Sequence, residues 1–380
     1  MIKKIIFFFF PTEAKQNKLR IARINTKYYL GIWRWRKRTK ADIFDYKKTI
    51  EKYNFKCDEL YFRNCWYGIA SSLKKYTGEK GKIKGCIEHG VYFGDTVREV
   101  ETNESGLPAV ITFSETRKNH IRKKTNKPVF TIGPYIYYAM GYYETEEIHA
   151  IKQKLGRILL VFPSHSINVA SVVFDEHFFV NEIDRVIEKQ NIQNVIVCLY
   201  WKDILLGREQ IYLQSGFRVV TAGLPEDPWF LERLKTYIDL SDYTMSNSVG
   251  THIGYCVALG KPHYLVEQDM GIENTEKVSI ETLKYHVINE STNFESEIEE
   301  VKKAFSKYSA EVSDIQLAVC NKYWGLNKKK SVEELYFILH TCDTIYKKGK
   351  NQKEGFYTHF MDMQRAPLKK WEIEILKQAK

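Results

Sequence analysis

The feature that most constrains the fold is a regular alternation of short apolar runs with helix-like segments between positions 157 and 266. Five runs have the length and composition of strands: Arg157–Phe162, Asn194–Tyr200, Phe217–Thr221, Tyr243–Ser246 and His263–Val266. Strands that alternate with helices are typical of a parallel sheet, because a parallel connection needs a crossover of a dozen or more residues. We therefore predict an open α/β sheet in this half of the chain.

The first part of the chain shows a second series of strand-like runs. They are Lys4–Phe10, Glu59–Phe62, Ile83–Ile87, Ala109–Phe113 and Pro128–Ile132. Two such series exceed what one domain of ordinary size holds, so we place a boundary in the polar, acidic segment Tyr143–Gly156. This predicts a first domain over 1–145, a second over 156–350 and a C-terminal helix within 351–380.

Composition favours a packed protein with anionic partners. The hydrophobic fraction of 44% argues against extended disorder, and the formal net charge is +11. Nucleotide phosphates, acidic glycans, lipid head groups and nucleic acid all fit such a charge. No apolar run is long enough to predict a membrane-spanning helix. The seven cysteines form no C-x-x-C pair, which favours reduced thiols in a cytosolic protein and no zinc site.

The strongest candidate for chemistry is the turn between the strand Tyr243–Ser246 and the helix that follows it. Its candidate donor-binding residues are Ser246, Asn247, Ser248, Gly250, Thr251 and His252. Hydroxyl groups, backbone N–H groups and the helix dipole are suited to hold a phosphate at such a helix start. The alternative is that Ser248 or Thr251 only caps the helix.

Two further loops follow strands of the same series. Ser164, His165 and Ser166 follow the first strand, and Gly223 and Asp227 follow the third. Ligands of open α/β sheets bind at the carboxyl ends of the strands, so these loops should face the same crevice. Gly223 would let a base or ribose approach the backbone. The alternatives are a polar connecting loop at 164–166 and a helix cap at Asp227.

In the first half, Glu88, His89 and Gly90 follow a strand. A histidine in this position can act as a general base toward a sugar hydroxyl, with Glu88 orienting it or serving as the base instead. A lone histidine is more often structural. Arg117, in a basic helix, could hold a phosphate or an acidic acceptor, or could belong to a solvated surface.

Several well-known motifs are absent from the sequence. It has no Walker A motif, no G-x-G-x-x-G after a strand, no H-E-x-x-H, no serine-hydrolase elbow and no D-x-D pair. We therefore expect neither a bound cofactor nor a metal ion.

The short motifs of the second half resemble the donor domain of GT-B glycosyltransferases, the class with two Rossmann-like domains. The matching segments are Phe162–Ser166, Gly223 with Asp227–Leu231, Ser241–Tyr243, Ser246–Ser248 and Ala258–Pro262. The resemblance is greatest to enzymes that build bacterial capsule, O-antigen or lipooligosaccharide chains. His89-Gly90 is similar to the His-Gly pair of teichoic-acid polymerases, where the histidine is the base. The sequence shows no clear Glu-x(7)-Glu donor motif of the retaining enzymes and no obvious His-Pro pair of the sialyltransferases.

The resemblance implies an α/β protein with two Rossmann-like domains facing across a cleft, followed by C-terminal helices. It implies a cytoplasmic, metal-independent, inverting transferase that moves a sugar from a nucleotide-sugar donor to a glycan or lipid-linked glycan acceptor. The C-terminal helix would cross back to the first domain. Its basic, aromatic surface and Trp33–Arg36 would rest on the inner face of an anionic membrane.

Three alternatives stay open. A nucleotide-sugar 2-epimerase and a polyol-phosphate transferase are compatible with the same fold. A basic nucleic-acid-binding protein is an alternative from another class, but the basic residues do not fall within a recognised RNA- or DNA-binding module, so we expect no specific nucleic acid partner.

Overall fold

The computed structural model describes residues 12–32, 40–51, 54–98, 102, 105–166, 170–274, 293–349 and 368–379. The predicted strand Lys4–Phe10 and the segment Trp33–Arg36 lie outside these residues. The described strands are β1 (Gly85–Ile87), β2 (Ala109–Thr112), β3 (Val129–Thr131), β4 (Ile158–Phe162), β5 (Ala170–Val173), β6 (Asn194–Cys198), β7 (Arg218–Val220), β8 (Tyr243–Ser246), β9 (His263–Leu265) and β10 (Gly271–Asn274).

The described α-helices are α1 (Glu13–Ile32), α2 (Tyr46–Thr49), α3 (Ile69–Thr77), α4 (Glu115–Arg122), α5 (Thr145–Leu155), α6 (Glu176–Gln190), α7 (Trp201–Leu205), α8 (Glu209–Gln214), α9 (Phe230–Leu240), α10 (Thr251–Ala258), α11 (Phe294–Phe305), α12 (Asp314–Tyr323), α13 (Val332–Gly349) and α14 (Lys370–Ala379). Short 3₁₀ helices span Phe62–Gly68, Tyr135–Tyr138 and Leu326–Lys328. In this part of the chain, no helix is both long and apolar enough to cross a bilayer.

The predicted α/β fold class is confirmed, with two parallel sheets. The larger sheet has the strand order β7-β6-β4-β8-β9. Along β4, Ile158, Leu160 and Phe162 belong to one buried apolar cluster, while Leu159 and Val161 belong to another. Because side chains alternate between the two faces of a strand, both faces of the sheet are covered. The connections change direction between β4 and β8, and this is where open α/β sheets bind ligands.

The smaller sheet has the order β1-β2-β3 and is also parallel. The predicted strand Glu59–Phe62 is wrong: its residues form a loop that enters the 3₁₀ helix Phe62–Gly68. Helix α13 packs on α3 and β1, and α14 packs on β3. The first sheet is therefore covered by helices from the C-terminal part, including α13 from within the range 156–350. The limits of the domains themselves stay a prediction.

Candidate active site

Loops that follow neighbouring strands of the larger sheet meet at its carboxyl edge. Ser164 N–H, after β4, donates a hydrogen bond to Asn247 Oδ1, after β8, at 2.7 Å. Val266 N–H, after β9, donates to the carbonyl oxygen of Ser246 at 2.8 Å. The structure thus brings together the loops at 163–166 and 247–250, on either side of the point where the connections change direction.

Helix α10 begins at this edge without a side-chain cap. Gly250 precedes the helix in an extended conformation, and no described side chain accepts a hydrogen bond from its first turn. Thr251 Oγ1 instead accepts a hydrogen bond from Val91 N–H at 3.0 Å. The carbonyl oxygen of Ser248 accepts a hydrogen bond from Ser246 Oγ at 3.0 Å. The N–H groups of the first turn and the positive end of the helix dipole therefore form a site suited to an anion.

Two enclosed polar atoms beside this helix start have no partner among the described residues. Asn247 is 4% exposed, and its Nδ2 makes no hydrogen bond. His252 Nε2 is likewise unbonded, while its ring stacks on Phe162 with the centroids 4.9 Å apart. Burial, with a smaller effect of nearby His165, lowers the pKa of His252 to about 3, so the imidazole is neutral near pH 7. An enclosed polar group without a partner costs about 1–3 kcal/mol, and a bound ligand that supplies the partner removes that cost.

His89 lies next to the contact that joins the two halves of the chain at Thr251. A methyl group added at Gly90 would lie 3.4 Å from Thr251 Oγ1, the atom that accepts the bond from Val91. The His89 ring packs edge-on against Trp66 at 5.0 Å, and His89 Nε2 is 3.1 Å from the Tyr92 hydroxyl. A half-buried imidazole therefore lies two residues before Val91, whose N–H group contacts the start of α10.

Glu88 and Arg117 form a buried ion pair beside this histidine. Arg117 donates to the Glu88 carboxylate through Nε, at 3.1 Å to each oxygen, and through Nη2 at 2.7 Å. Thr112 Oγ1 donates to the same carboxylate at 2.6 Å. The Glu88 and Arg117 side chains are 1% and 2% exposed. Arg117 Nη1 also donates to the carbonyl oxygen of Thr96 at 2.8 Å, so both charged groups are engaged within the fold, and this arrangement favours the orienting alternative for Glu88 over its role as the base.

Asp227 forms a second buried ion pair, and Gly223 lies beside it. The Asp227 carboxylate pairs with the Arg233 guanidinium, and both side chains are fully buried. Gly223 has a φ of +108°, and a Cβ atom there would lie 2.5 Å from Arg233 Nη2. An arginine of α9 therefore makes a close approach to this glycine, and the approach of a base or ribose stays a prediction. Asp227 also accepts a hydrogen bond from Trp229 N–H at 3.0 Å, in the turn before α9, whose own first turn has no side-chain cap.

Ser166 and Ser246 are buried beneath the loops and stabilise them through hydrogen bonds. Ser166 is fully buried; its N–H donates to the Asp203 carboxylate, and its Oγ accepts a bond from Val172 N–H at 3.2 Å. Ser246 is also fully buried, with its Oγ 2.9 Å from His263 Nε2. Burial holds the pKa of His263 well below its ordinary value, so this histidine is neutral. Both serines therefore lie beneath the site, whereas Ser248 and Thr251 lie in its rim.

Aromatic residues that sequence reasoning missed line the other side of the cleft. Trp66 and Tyr67 lie in the 3₁₀ helix, and Tyr67 has a left-handed backbone with a φ of +56°. Its N–H donates to the carbonyl oxygen of Pro225, and its ring lies 6.0 Å from that of His89. Such a conformation costs about 1–3 kcal/mol in a residue other than glycine and often marks a functional site. The Trp-Tyr-Gly sequence before a helix was the available signal, since glycine favours a tight turn.

The exposed residue His165 extends this aromatic lining across the larger sheet. Its ring lies 4.8 Å from that of Tyr200, which follows β6. The cleft therefore combines an anion-suited helix start on one side with flat rings on the other, and flat rings suit the faces of a sugar or a base.

Comparisons with known proteins give matches to solved structures at very low sequence identity. No protein-family model and no curated protein matches the chain. Among solved structures, the wall teichoic acid polymerase TagF shares 9% identity with a TM-score of 0.41, covering 72% of this chain and 70% of that one. MnaA of S. aureus with UDP shares 11% identity with a TM-score of 0.37, covering 75% and 80%. A putative UDP-N-acetylglucosamine 2-epimerase of Listeria monocytogenes shares 13% identity with a TM-score of 0.38, covering 78% and 72%. All three TM-scores are below 0.5, so these similarities carry no argument about function.

Proposed function

We propose that this protein is a GT-B-type glycosyltransferase that moves a sugar from a nucleotide-sugar donor to a hydroxyl group of a bacterial surface glycan. The observation that carries the proposal is the contact between the uncapped start of α10 and the turn that carries His89. A transfer to a hydroxyl group needs an anion site for the leaving nucleotide and a base for the attacking oxygen. In this proposal the second half of the chain supplies the anion site at the start of α10, and the first half supplies the base, His89.

The donor phosphates would bind at the start of α10. The N–H groups of its first turn, the hydroxyls of Ser248 and Thr251 and the Nδ2 of Asn247 are donors at this position. His252, being neutral, offers one N–H group without the desolvation cost of a buried cation. As the bond to the sugar breaks, negative charge grows on the departing phosphate, and donors fixed in advance stabilise it. In this proposal they replace a metal ion, and no cofactor takes part.

His89 would remove the proton from the attacking hydroxyl. We assign this role to His89 alone, since the Glu88 carboxylate already accepts bonds from Arg117 and Thr112. The ion pair then fixes the end of β1 and thereby positions the imidazole. The rings of Trp66 and Tyr67 would hold the acceptor sugar. A single attack from the face opposite the nucleotide gives inversion at the transferred carbon.

The acceptor would be a glycan or a lipid-linked glycan at the cytoplasmic face of the membrane. Helix α1 supports this placement, because it carries exposed Lys and Arg side chains together with Tyr29 and Leu30, which are 53% and 67% exposed. Basic and apolar side chains on one helix suit an anionic lipid surface. The contact of α14 with β3 supports a C-terminal helix that returns to the first domain.

Thermal unfolding with CMP, UDP, GDP, CDP and dTDP tests the donor site. A nucleotide that binds only the folded protein raises the melting temperature. We expect one of the five to do so, and we expect the double variant Ser248→Ala/Thr251→Val to lose most of the shift. Ser309→Ala is the matched control, since Ser309 follows Tyr308, which packs on the first residue of β8 at the opposite edge of the sheet. No shift with any nucleotide, or equal shifts in both variants, would reject the phosphate assignment.

Turnover assays separate transfer from the alternatives. His89→Asn should lower the transfer rate by about 10²–10⁴-fold while nucleotide affinity stays the same. Conversion of a nucleotide sugar to its epimer without acceptor would assign a 2-epimerase, and release of CMP from a CDP-polyol would assign a polyol-phosphate transferase. Tight and steeply salt-dependent binding to a random oligonucleotide would instead assign a nucleic-acid-binding protein.

A further inference from the structure

Two cysteines lie in the segment that leads to the aromatic side of the cleft. Cys57 Sγ and Cys65 Sγ are 3.1 Å apart, and both are free thiols. A disulfide bond has a sulfur–sulfur length of about 2.05 Å, so the two atoms need to approach by only about 1 Å to bond. Neither thiol has a role in the proposed transfer.

The surroundings of the pair favour thiol chemistry. The hydrogen bond from Cys65 lowers the pKa of the Cys57 thiol, and the same bond, with burial, raises the pKa of Cys65. The positive charge of Lys82 also helps to lower the pKa of Cys57. Because the thiolate is the reactive form, Cys57 is the better nucleophile of the two. Cys57 is 4% exposed, whereas the half-buried Cys65 keeps the pair in contact with solvent.

The pair lies between helix α1 and the turn at Tyr67. On one side, Asn25 of α1 bonds both backbone groups of Cys57: its Nδ2 donates to the carbonyl oxygen at 3.0 Å, and its Oδ1 accepts from N–H at 2.9 Å. On the other side, Cys65 directly precedes Trp66 and Tyr67, whose rings pack against His89. A covalent bond between the two sulfurs would tie the segment held by α1 to this strained turn.

We propose that Cys57 and Cys65 form a reversible thiol–disulfide site that a peroxide closes and a dithiol opens. The Cys57 thiolate attacks one oxygen of hydrogen peroxide and becomes a sulfenic acid, with hydroxide leaving. The Cys65 thiol then attacks that sulfur, the S–S bond forms, and the sulfenic oxygen leaves as water. The two thiols lose two electrons and two protons in total, and the peroxide is reduced to two water molecules. This inference is independent of the proposed function.

Tryptic peptides of the full-length protein provide a direct test. Cleavage after Lys56, Arg63 and Lys74 places the cysteines in separate peptides, Cys57–Arg63 and Asn64–Lys74. After brief treatment with hydrogen peroxide and alkylation of the remaining thiols, mass spectrometry should show these two peptides joined by a disulfide. Thiol titration of the unfolded protein should fall by two from the seven of the reduced form, and a dithiol should restore all seven.

Two variants keep the test specific. Cys65→Ser should abolish the linked peptide. Cys86→Ala should preserve it, because Cys86 lies in the neighbouring buried cluster with Tyr61 and Leu107 but takes no part in the pair. A link to Cys86, oxidation of Cys57 or Cys65 to a sulfinic acid without any link, or no loss of thiols at peroxide levels that oxidise a model dithiol would overturn the proposal.

Discussion

Replacing His252 with phenylalanine tests whether the unbonded nitrogen beside α10 serves a ligand. Phenylalanine keeps a ring against Phe162 and removes the enclosed Nε2 atom. An unsatisfied polar group costs about 1–3 kcal/mol, so the protein without ligand should be as stable as before or more stable by up to that amount. A hydrogen bond to a charged phosphate contributes about 1.5–3 kcal/mol, so nucleotide affinity should fall by roughly ten- to a hundredfold.

The two quantities are measured separately. Urea denaturation gives the free energy of unfolding without ligand, and calorimetric titration gives the affinity for the nucleotide that produces the largest thermal shift. His149→Phe, on the exposed surface of α5, is the control and should change neither. If His252→Phe lowers the free energy of unfolding while affinity is unchanged, the residue serves packing alone and its role as a phosphate donor is refuted.

Three further predictions concern stability. Asp227→Ala leaves the buried Arg233 guanidinium unpaired, so the free energy of unfolding in urea should fall by about 3–5 kcal/mol, and an unchanged value would contradict the ion pair. Gly254→Ala places a methyl group 2.1 Å from the Trp324 ring. Despite a gain of about 1 kcal/mol in helix propensity, we expect the free energy of unfolding, measured by thermal unfolding, to fall by about 1–3 kcal/mol. A stabilised variant would refute this. His252 has a pKa of about 3 in the folded protein and about 6.5 in the unfolded protein. Between these values the unfolded state takes up a proton that the folded state does not, so the contribution of His252 to the free energy of unfolding is fully present above pH 6.5 and is lost as pH falls toward 3. The melting temperature of His252→Phe should therefore depend less on pH over this range, and equal slopes would count against a buried neutral imidazole.

The strands of the larger sheet were predictable because their signal is local. A strand covered on both faces must be apolar along its whole length, and β8 was predicted and observed at the same residues, Tyr243–Ser246. The run Glu59–Phe62 carried a similar apolar signal, but it pairs with none of the described strands and enters a 3₁₀ helix. A short apolar run cannot show whether a neighbouring strand exists, since that neighbour is supplied by distant parts of the chain.

Which loops follow strand ends could be predicted from the order of apolar and polar residues. Since all strands of a parallel sheet end at the same edge, this placed Ser164 near Asn247. Which polar side chains are available to a ligand depends instead on contacts between distant parts of the chain. Glu88 and Arg117, 29 positions apart, neutralise each other, whereas Asn247 and His252 each keep an atom that no described residue hydrogen-bonds. The physical reason is that a carboxylate or amide that hydrogen-bonds a distant residue is no longer available to a ligand. Local sequence does not encode the distance between two such residues in the folded chain.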